Sequence, residues 1–183
     1  YQDVTDTTVT AQFEAVKETL PDSLKKYNEL FFLAWTTTPW TLPSNTALTI
    51  GSKIKYVLIS TFNQYTFKKI NVVLAKDLVY KVLSGNFIEI DNIALLEYNK
   101  SKDKKIPFIK MTEFDGKDLI GVKYKQLWSE SPLPFKDPEN AFRVISGDFV
   151  NTDEGTGIVH TAPTFGADDA RAAKDANPEV PPM

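Results

Sequence analysis

Apolar positions fall mostly in short runs, and only two stretches keep a helical spacing. Residues 9–16 alternate loosely, as a half-buried strand does, and Pro21-Asp22-Ser23 then breaks the pattern. Leu30-Phe31-Phe32-Leu33-Ala34-Trp35 is continuously apolar and of strand length, the pattern of a strand buried on both faces. Pro39 and Pro43 then prevent regular strand pairing. Residues 46–50 resume strand character, and Gly51-Ser52 turns the chain. Residues 56–60 and 65–74 predict a hairpin around Asn63-Gln64. Leu78, Val79, Val82 and Leu83 predict a helix over 76–83, with Gly85 as its C-terminal cap.

The second half is more broken. Residues 87–90 predict a short strand and 99–105 a polar loop. Segments 106–114 and 119–127 are mixed, with Gly116 and Gly121 between them, and 131–138 is an irregular, proline-rich connection. Residues 142–145 and 149–150 predict strands. Gly155-Thr156-Gly157 turns into a strand over 158–161, and an alanine-rich helix covers 167–176. Residues 178–182 carry no fold signal. The pattern predicts a mainly β protein with peripheral helices (α+β), organised as a single domain over residues 1–183.

Composition narrows the chemistry. A chain of 183 residues can build its own core, and 42% hydrophobic with 25% charged residues is globular rather than disordered. With no cysteine and a single histidine, His160, neither thiol catalysis nor a multi-histidine metal site is available, and no metal is expected. No apolar run approaches the ~20 residues of a membrane span. The first five residues show neither the basic nor the apolar region of a secretory signal, and with no initiating Met the sequence reads as a piece of a longer chain. The net charge is −3 and only two residues are arginine, Arg143 and Arg171. A nucleic-acid partner would have to find most of its phosphate contacts elsewhere.

Two segments carry chemical information. In Trp35-Thr36-Thr37-Thr38-Pro39-Trp40-Thr41-Leu42-Pro43-Ser44-Asn45, three successive hydroxyls leave a buried strand and meet a proline. A loop lets such hydroxyls converge on one cavity, where they suit a ribose or a water. Trp40 offers a flat wall on which a base can stack. The plain alternative is a β-branched strand end with a proline stop. In Gly155-Thr156-Gly157-Ile158-Val159-His160-Thr161-Ala162-Pro163-Thr164-Phe165-Gly166-Ala167-Asp168-Asp169, strand, turn and helix start are packed together. Two adjacent carboxylates lie about 100° apart on a helix, so one can cap while the other faces a cleft and holds a cationic group. A lone histidine is more often a satisfied interior residue than a catalyst.

Together these peptides resemble the two signature peptides of the editing domain of isoleucyl-tRNA synthetases, the connective insertion of a class I enzyme. Valyl and leucyl relatives share the threonine peptide but generally lack the histidine, so His160 and Phe165-Gly166 favour the isoleucyl branch. The HIGH and KMSKS signatures of aminoacylation are absent from the sequence. The resemblance implies a β-barrel-like editing domain, excised from its synthetase, whose two ends lie close together. It implies hydrolysis of valine from the acceptor end of isoleucine tRNA, and of valyl-adenylate as a second activity, in the cytoplasm. Discriminating one methylene by binding alone yields only about 10–200-fold; this enzyme family is a standard example of that limit.

The resemblance assigns Asp169 to the α-ammonium of the misattached amino acid. It assigns Thr36, Thr37 and Thr38 to the ribose and the attacking water. Trp40 walls the adenosine site, and Phe165 and Gly166 belong with the substrate-binding group. His160 borders the amino-acid side chain as a wall or, alternatively, acts as a proton donor or base. Asn45 matches an editing position or braces the threonine loop, and Asp168 caps the helix. No cofactor is implied for editing; ATP and Mg belong to the aminoacylation domain. The expected partners are the tRNA acceptor end and the rest of the synthetase, with no membrane. The rival readings are a non-catalytic tRNA-gripping module, a metal-dependent hydrolase, and the editing domain of a valyl or leucyl relative.

Overall fold

The computed structural model describes residues 7–183, and nine strands form among them. They are β1 (Val9–Glu14), β2 (Leu30–Thr36), β3 (Ala47–Ile50), β4 (Lys55–Phe62), β5 (Lys69–Ala75), β6 (Phe87–Glu89), β7 (Ile106–Asp115), β8 (Arg143–Ser146) and β9 (Ile158–Thr161). Two α-helices, α1 (Val79–Val82) and α2 (Ala167–Asp175), lie outside the sheet path. The mainly β fold with peripheral helices is therefore the observed one. The strand order is β6-β7-β4-β5-β2-β9-β3-β8, with β1 on β2.

The apolar run of β2 organises this path. One edge of β2 takes β1 along its whole length, antiparallel from Val9 opposite Thr36 to Glu14 opposite Phe31. At its other edge β5 pairs with residues 30–32 and β9 with Trp35, both parallel. The sheet thus forks at β2. Successive residues of β2 face opposite sides, as the continuous apolar run predicts. Phe32 and Ala34 join one buried cluster with Phe13, Leu48, Tyr56 and Val144, while Leu33 joins a second with Val57, Leu74 and Phe108.

One branch of the fork closes into a barrel. From β2 it runs through β9, β3 and β8, and the segment 121–125 then bridges β8 to β1. The Tyr124 N–H donates to the Phe142 carbonyl and the Val144 N–H to that of Val122; on the other side, the Val16 N–H donates to the Lys123 carbonyl and the Lys125 N–H to that of Glu14. Sheet closure of this kind removes exposed edges. Strand β9 enters through Gly157 at φ +73°, where a side chain would drive its Cβ to within 2.4 Å of the Ala75 Cβ.

Several expectations are corrected. The strand expected over 149–150 does not form: residues 148–149 make a turn, and the Val150 N–H donates to the Gly147 carbonyl instead of to a neighbouring strand. β5 begins at Lys69 rather than 65. The intervening turn is built by Asn63, whose side-chain carbonyl accepts the N–H groups of Tyr65 and Thr66. The mixed segment 106–114 is one long strand with a bulge against β4. The tail without a fold signal is packed: Val180 is buried with Ala47, Ile145, Ala172 and Ala173, and Arg143 donates to the Pro178 carbonyl. The expected proximity of the two chain ends, like the reading of residues 1–5, involves positions outside the described residues.

Candidate active site

Where β2 and β9 run side by side, the two informative peptides leave the barrel together. They line a cleft of about 440 Å³ formed by Trp35, Thr36, Thr37, Thr38, Trp40, Thr41, Val159, His160, Phe165, Gly166 and Asp169. Eight of the nine residues singled out from the sequence therefore meet here. Asn45 is the exception: it is buried behind the wall and does not line the cleft.

The threonine side is built by the strand end and a following 3-10 helix, Pro39–Ser44, with proline at its start. Thr36 is buried, and its hydroxyl accepts the Thr38 N–H at 3.1 Å and lies 3.3 Å from the Thr38 hydroxyl. Thr37 and Thr38 are exposed to the cleft. Thr41 donates to the Thr38 carbonyl at 2.8 Å, which ties the helix to the threonine loop.

His160 stands on β9, directly opposite Leu48 of β3, and is 6% exposed. Burial depresses its pKa to about 4, so the ring is neutral at neutral pH. Both nitrogens are engaged: Nε2 lies 2.9 Å from the Thr41 hydroxyl and Nδ1 lies 2.9 Å from the Asn45 amide nitrogen. That amide also donates to the Ala47 carbonyl, and its oxygen accepts the Tyr124 hydroxyl at 2.6 Å. The amide orientation is set by these partners: nitrogen toward a carbonyl, oxygen toward a phenol. Nδ1 must then accept, so the proton sits on Nε2 and is donated to Thr41.

The carboxylate side is the first turn of α2. Gly166 is the N-cap, with no side-chain capping bond. Asp168 therefore does not cap; it is exposed and pairs with Arg171 at 2.7 Å. A glycine at the N-cap already lets the chain turn in, and the helix spacing points Asp168 to solvent. Asp169 turns inward instead, and its Oδ2 accepts the Ala162 N–H at 2.8 Å. Burial raises its pKa, an effect that the Ala162 bond opposes and the Asp168 charge reinforces. Among the described residues no Lys, Arg or His lies within ion-pairing distance of Asp169. A Cβ on Gly166 would stand 3.0 Å from the Asp169 carboxyl carbon, so the glycine leaves the acid its room.

Trp40 and Phe165 form the rim, at 68% and 60% exposure. Neither arginine faces the cleft: Arg143 is held by the Asn140 and Pro178 carbonyls and Arg171 by Asp168. Sequence reading did not assign Trp35, Thr41, Val159 or Tyr124. Thr41 and Trp35 flank the threonine triplet and share its signal. Tyr124 had none, because only the barrel closure brings it to Asn45.

No protein-family model matches the chain. Over 95% of its length it is 53% identical to the isoleucine–tRNA ligase of Cytophaga hutchinsonii, and over its full length 50% identical to that of Bacteroides fragilis. It spans only 14% and 15% of those enzymes. In fold it is similar to the editing domain of the P. knowlesi cytosolic leucyl-tRNA synthetase, with a TM-score of 0.65 at 13% identity over 94% of this chain and 62% of that one. No helix among the described residues is long and apolar enough to cross a membrane. By sequence the chain belongs with the isoleucine–tRNA ligases, as a segment of such an enzyme, and by fold with the editing domains of class I aminoacyl-tRNA synthetases.

Proposed function

We propose that this chain is an editing module that hydrolyses valine from the acceptor end of isoleucine tRNA, within a cytoplasmic synthetase. The observation that carries the reading is the half-buried Asp169, without a cationic partner among the described residues, facing a cleft whose other wall is threonine hydroxyls and a neutral histidine. A cleft of about 440 Å³ is in the range that accepts an aminoacyl-adenosine. An α-ammonium beside Asp169 offsets the cost of burying the carboxylate, and a charge-assisted bond of this kind contributes ~1.5–3 kcal/mol. The ester carbonyl then sits before Thr36, Thr37 and Thr38, whose hydroxyls hold the ribose and a water. Trp40 and Phe165 flank the adenosine.

With both imidazole nitrogens engaged, His160 has no lone pair free to take a proton from that water. The ring serves as a wall that admits valine and crowds isoleucine. A positioned water then attacks directly, with orientation supplying much of the acceleration. This step asks for no cofactor; ATP and Mg serve the aminoacylation chemistry of the larger enzyme. Valyl-adenylate presents the same ammonium and base and is the second substrate.

The test is release of free valine from Val-tRNA(Ile), and retention of isoleucine on Ile-tRNA(Ile), with and without chelator. Release unaffected by chelator supports the reading. Binding without release would make the chain a gripping module, and chelator-sensitive release a metal-dependent hydrolase.

A further inference from the structure

The buried polar chain behind the cleft ends at a residue that touches no part of the cleft itself. Tyr124 lies on the segment that closes the barrel, and it is 2% exposed. Its ring is gripped edge-on by Phe13, with centroids 5.2 Å apart, and by Phe142 at 6.2 Å. Its backbone N–H is tied to the Phe142 carbonyl. The hydroxyl can thus point in one direction, and it meets the Asn45 side-chain oxygen at 2.6 Å. Burial raises the phenol well above its usual range, so it stays a proton donor throughout the working pH range.

The consequences run outward by donor and acceptor logic. A phenol donor fixes the amide oxygen toward Tyr124 and, with the Ala47 carbonyl, fixes the amide nitrogen toward His160. The nitrogen can only donate, so His160 Nδ1 can only accept and Nε2 carries the proton. Nε2–H donates to Thr41, whose own proton is thereby sent to the Thr38 carbonyl, in the threonine loop. If the amide turned over, its oxygen would demand a proton on Nδ1. Nε2 would then be bare, and Thr41 would have to abandon Thr38 to satisfy it.

We propose that Tyr124 is a positioning residue of the editing site, setting through Asn45 the tautomer and orientation of His160 and, through Thr41, the threonine loop. This inference rests on the editing reading for its activity arm but not for its spectroscopic arm. The chain contains a single histidine, so nitrogen-15 labelling of histidine reports this ring with no assignment step.

The experiment is long-range proton–nitrogen NMR of the labelled chain, wild type and Tyr124→Phe, with deacylation of Val-tRNA(Ile) and Ile-tRNA(Ile) by both. Phenylalanine keeps both edge-on ring contacts and removes only the hydroxyl. The wild type is expected to show one Nε2–H tautomer, unprotonated down to pH 5. Tyr124→Phe is expected to show a second tautomer or averaged shifts, an about twofold lower kcat on the valyl ester with KM unchanged, a smaller loss than that of His160→Ala, and a higher ratio of isoleucine to valine release.

A wild-type ring with its proton on Nδ1, or titrating near its ordinary value, overturns the proposal without any variant. So does a Tyr124→Phe chain whose histidine signals and ester ratio match the wild type. If Tyr124→Phe does not fold, Asn45→Asp carries the test: without an amide N–H that residue can only accept, the ring is expected to move its proton to Nδ1, and an unchanged Nε2–H signal overturns the proposal. Absence of valine release by the wild type would instead overturn the editing reading and leave the tautomer result standing.

Discussion

The two walls of the cleft are made on different plans. On the histidine side the buried polar groups are paired before any ligand arrives: Tyr124, Asn45, His160, Thr41 and the Thr38 carbonyl form one line of donors and acceptors. On the carboxylate side Asp169 has one backbone donor and, among the described residues, no cation, and the rim residues Trp40 and Phe165 stand mostly in solvent. A wall complete before the substrate arrives can measure size, because overpacking a rigid site costs ~1–3 kcal/mol. A wall completed only by the substrate can recognise charge and aromatic faces. Selection and capture are thus divided between the two sides.

The hardest way to break this division is to remove the incomplete side's charge. Asp169→Ala is expected to lower valine release by about 100-fold, the loss of a charge-assisted bond, while circular dichroism stays that of the wild type. If Asp168→Ala suffered this loss and Asp169→Ala kept its activity, the roles within the pair would be reversed.

Next comes the complete side. His160→Ala is expected to raise isoleucine release from Ile-tRNA(Ile) by about tenfold, the scale of one methylene in a pocket, with a smaller fall on the valyl ester. Equal losses on both esters would make the ring a catalyst. The same residue has a stability signature. Its folded pKa of about 4 lies below the unfolded 6.5. The stability it contributes is therefore present above pH 6.5 and is lost as pH falls through about 4, on the order of 3 kcal/mol in all. Urea midpoints between pH 7 and 4 (a range that roughly brackets the shift) should fall more steeply for wild type than for His160→Ala.

Trp40→Ala probes the rim. It is expected to raise KM for the aminoacyl-tRNA several-fold, since stacking on one base contributes ~1–3 kcal/mol, part of it kept by Phe165. The melting temperature should not move, because the side chain is 68% exposed. Smallest of all is Asp168→Ala. Its exposed pair with Arg171 is expected to contribute under ~1 kcal/mol to stability, and activity should be close to that of the wild type.

The same contrast separates what the sequence discloses from what it conceals. The rim and the carboxylate pair announce themselves locally, as an exposed tryptophan after a proline and as two acids at a helix start. The buried run 30–35 likewise declares a two-faced strand, and Phe32 and Leu33 do go to opposite clusters. What stays hidden is pairing across long distances. Segment 121–125 has no strand pattern of its own and becomes a barrel stave only because β1 and β8 leave a gap that fits it. Tyr124 and the inner role of Asn45 are hidden with it. Asp168 misleads for the converse reason: the local rule for a helix start is sound, but the cap is the glycine two residues earlier. The proline-rich tail is silent because its one apolar anchor, Val180, has no periodic neighbour.

The hydrogen bond between Thr41 and His160 joins residues 119 positions apart. A chain emerging from the ribosome therefore carries the whole threonine peptide long before it has anything to face. Closing so long a loop is an entropic cost that grows only slowly with length but must be met before the contacts reward it. The cleft should appear in one late step, with the pairing of β2 and β9, and not by gradual improvement. On the proposed function, immature chains are then expected to be inert toward correctly charged tRNA, which an open, half-formed pocket without its size limit would strip.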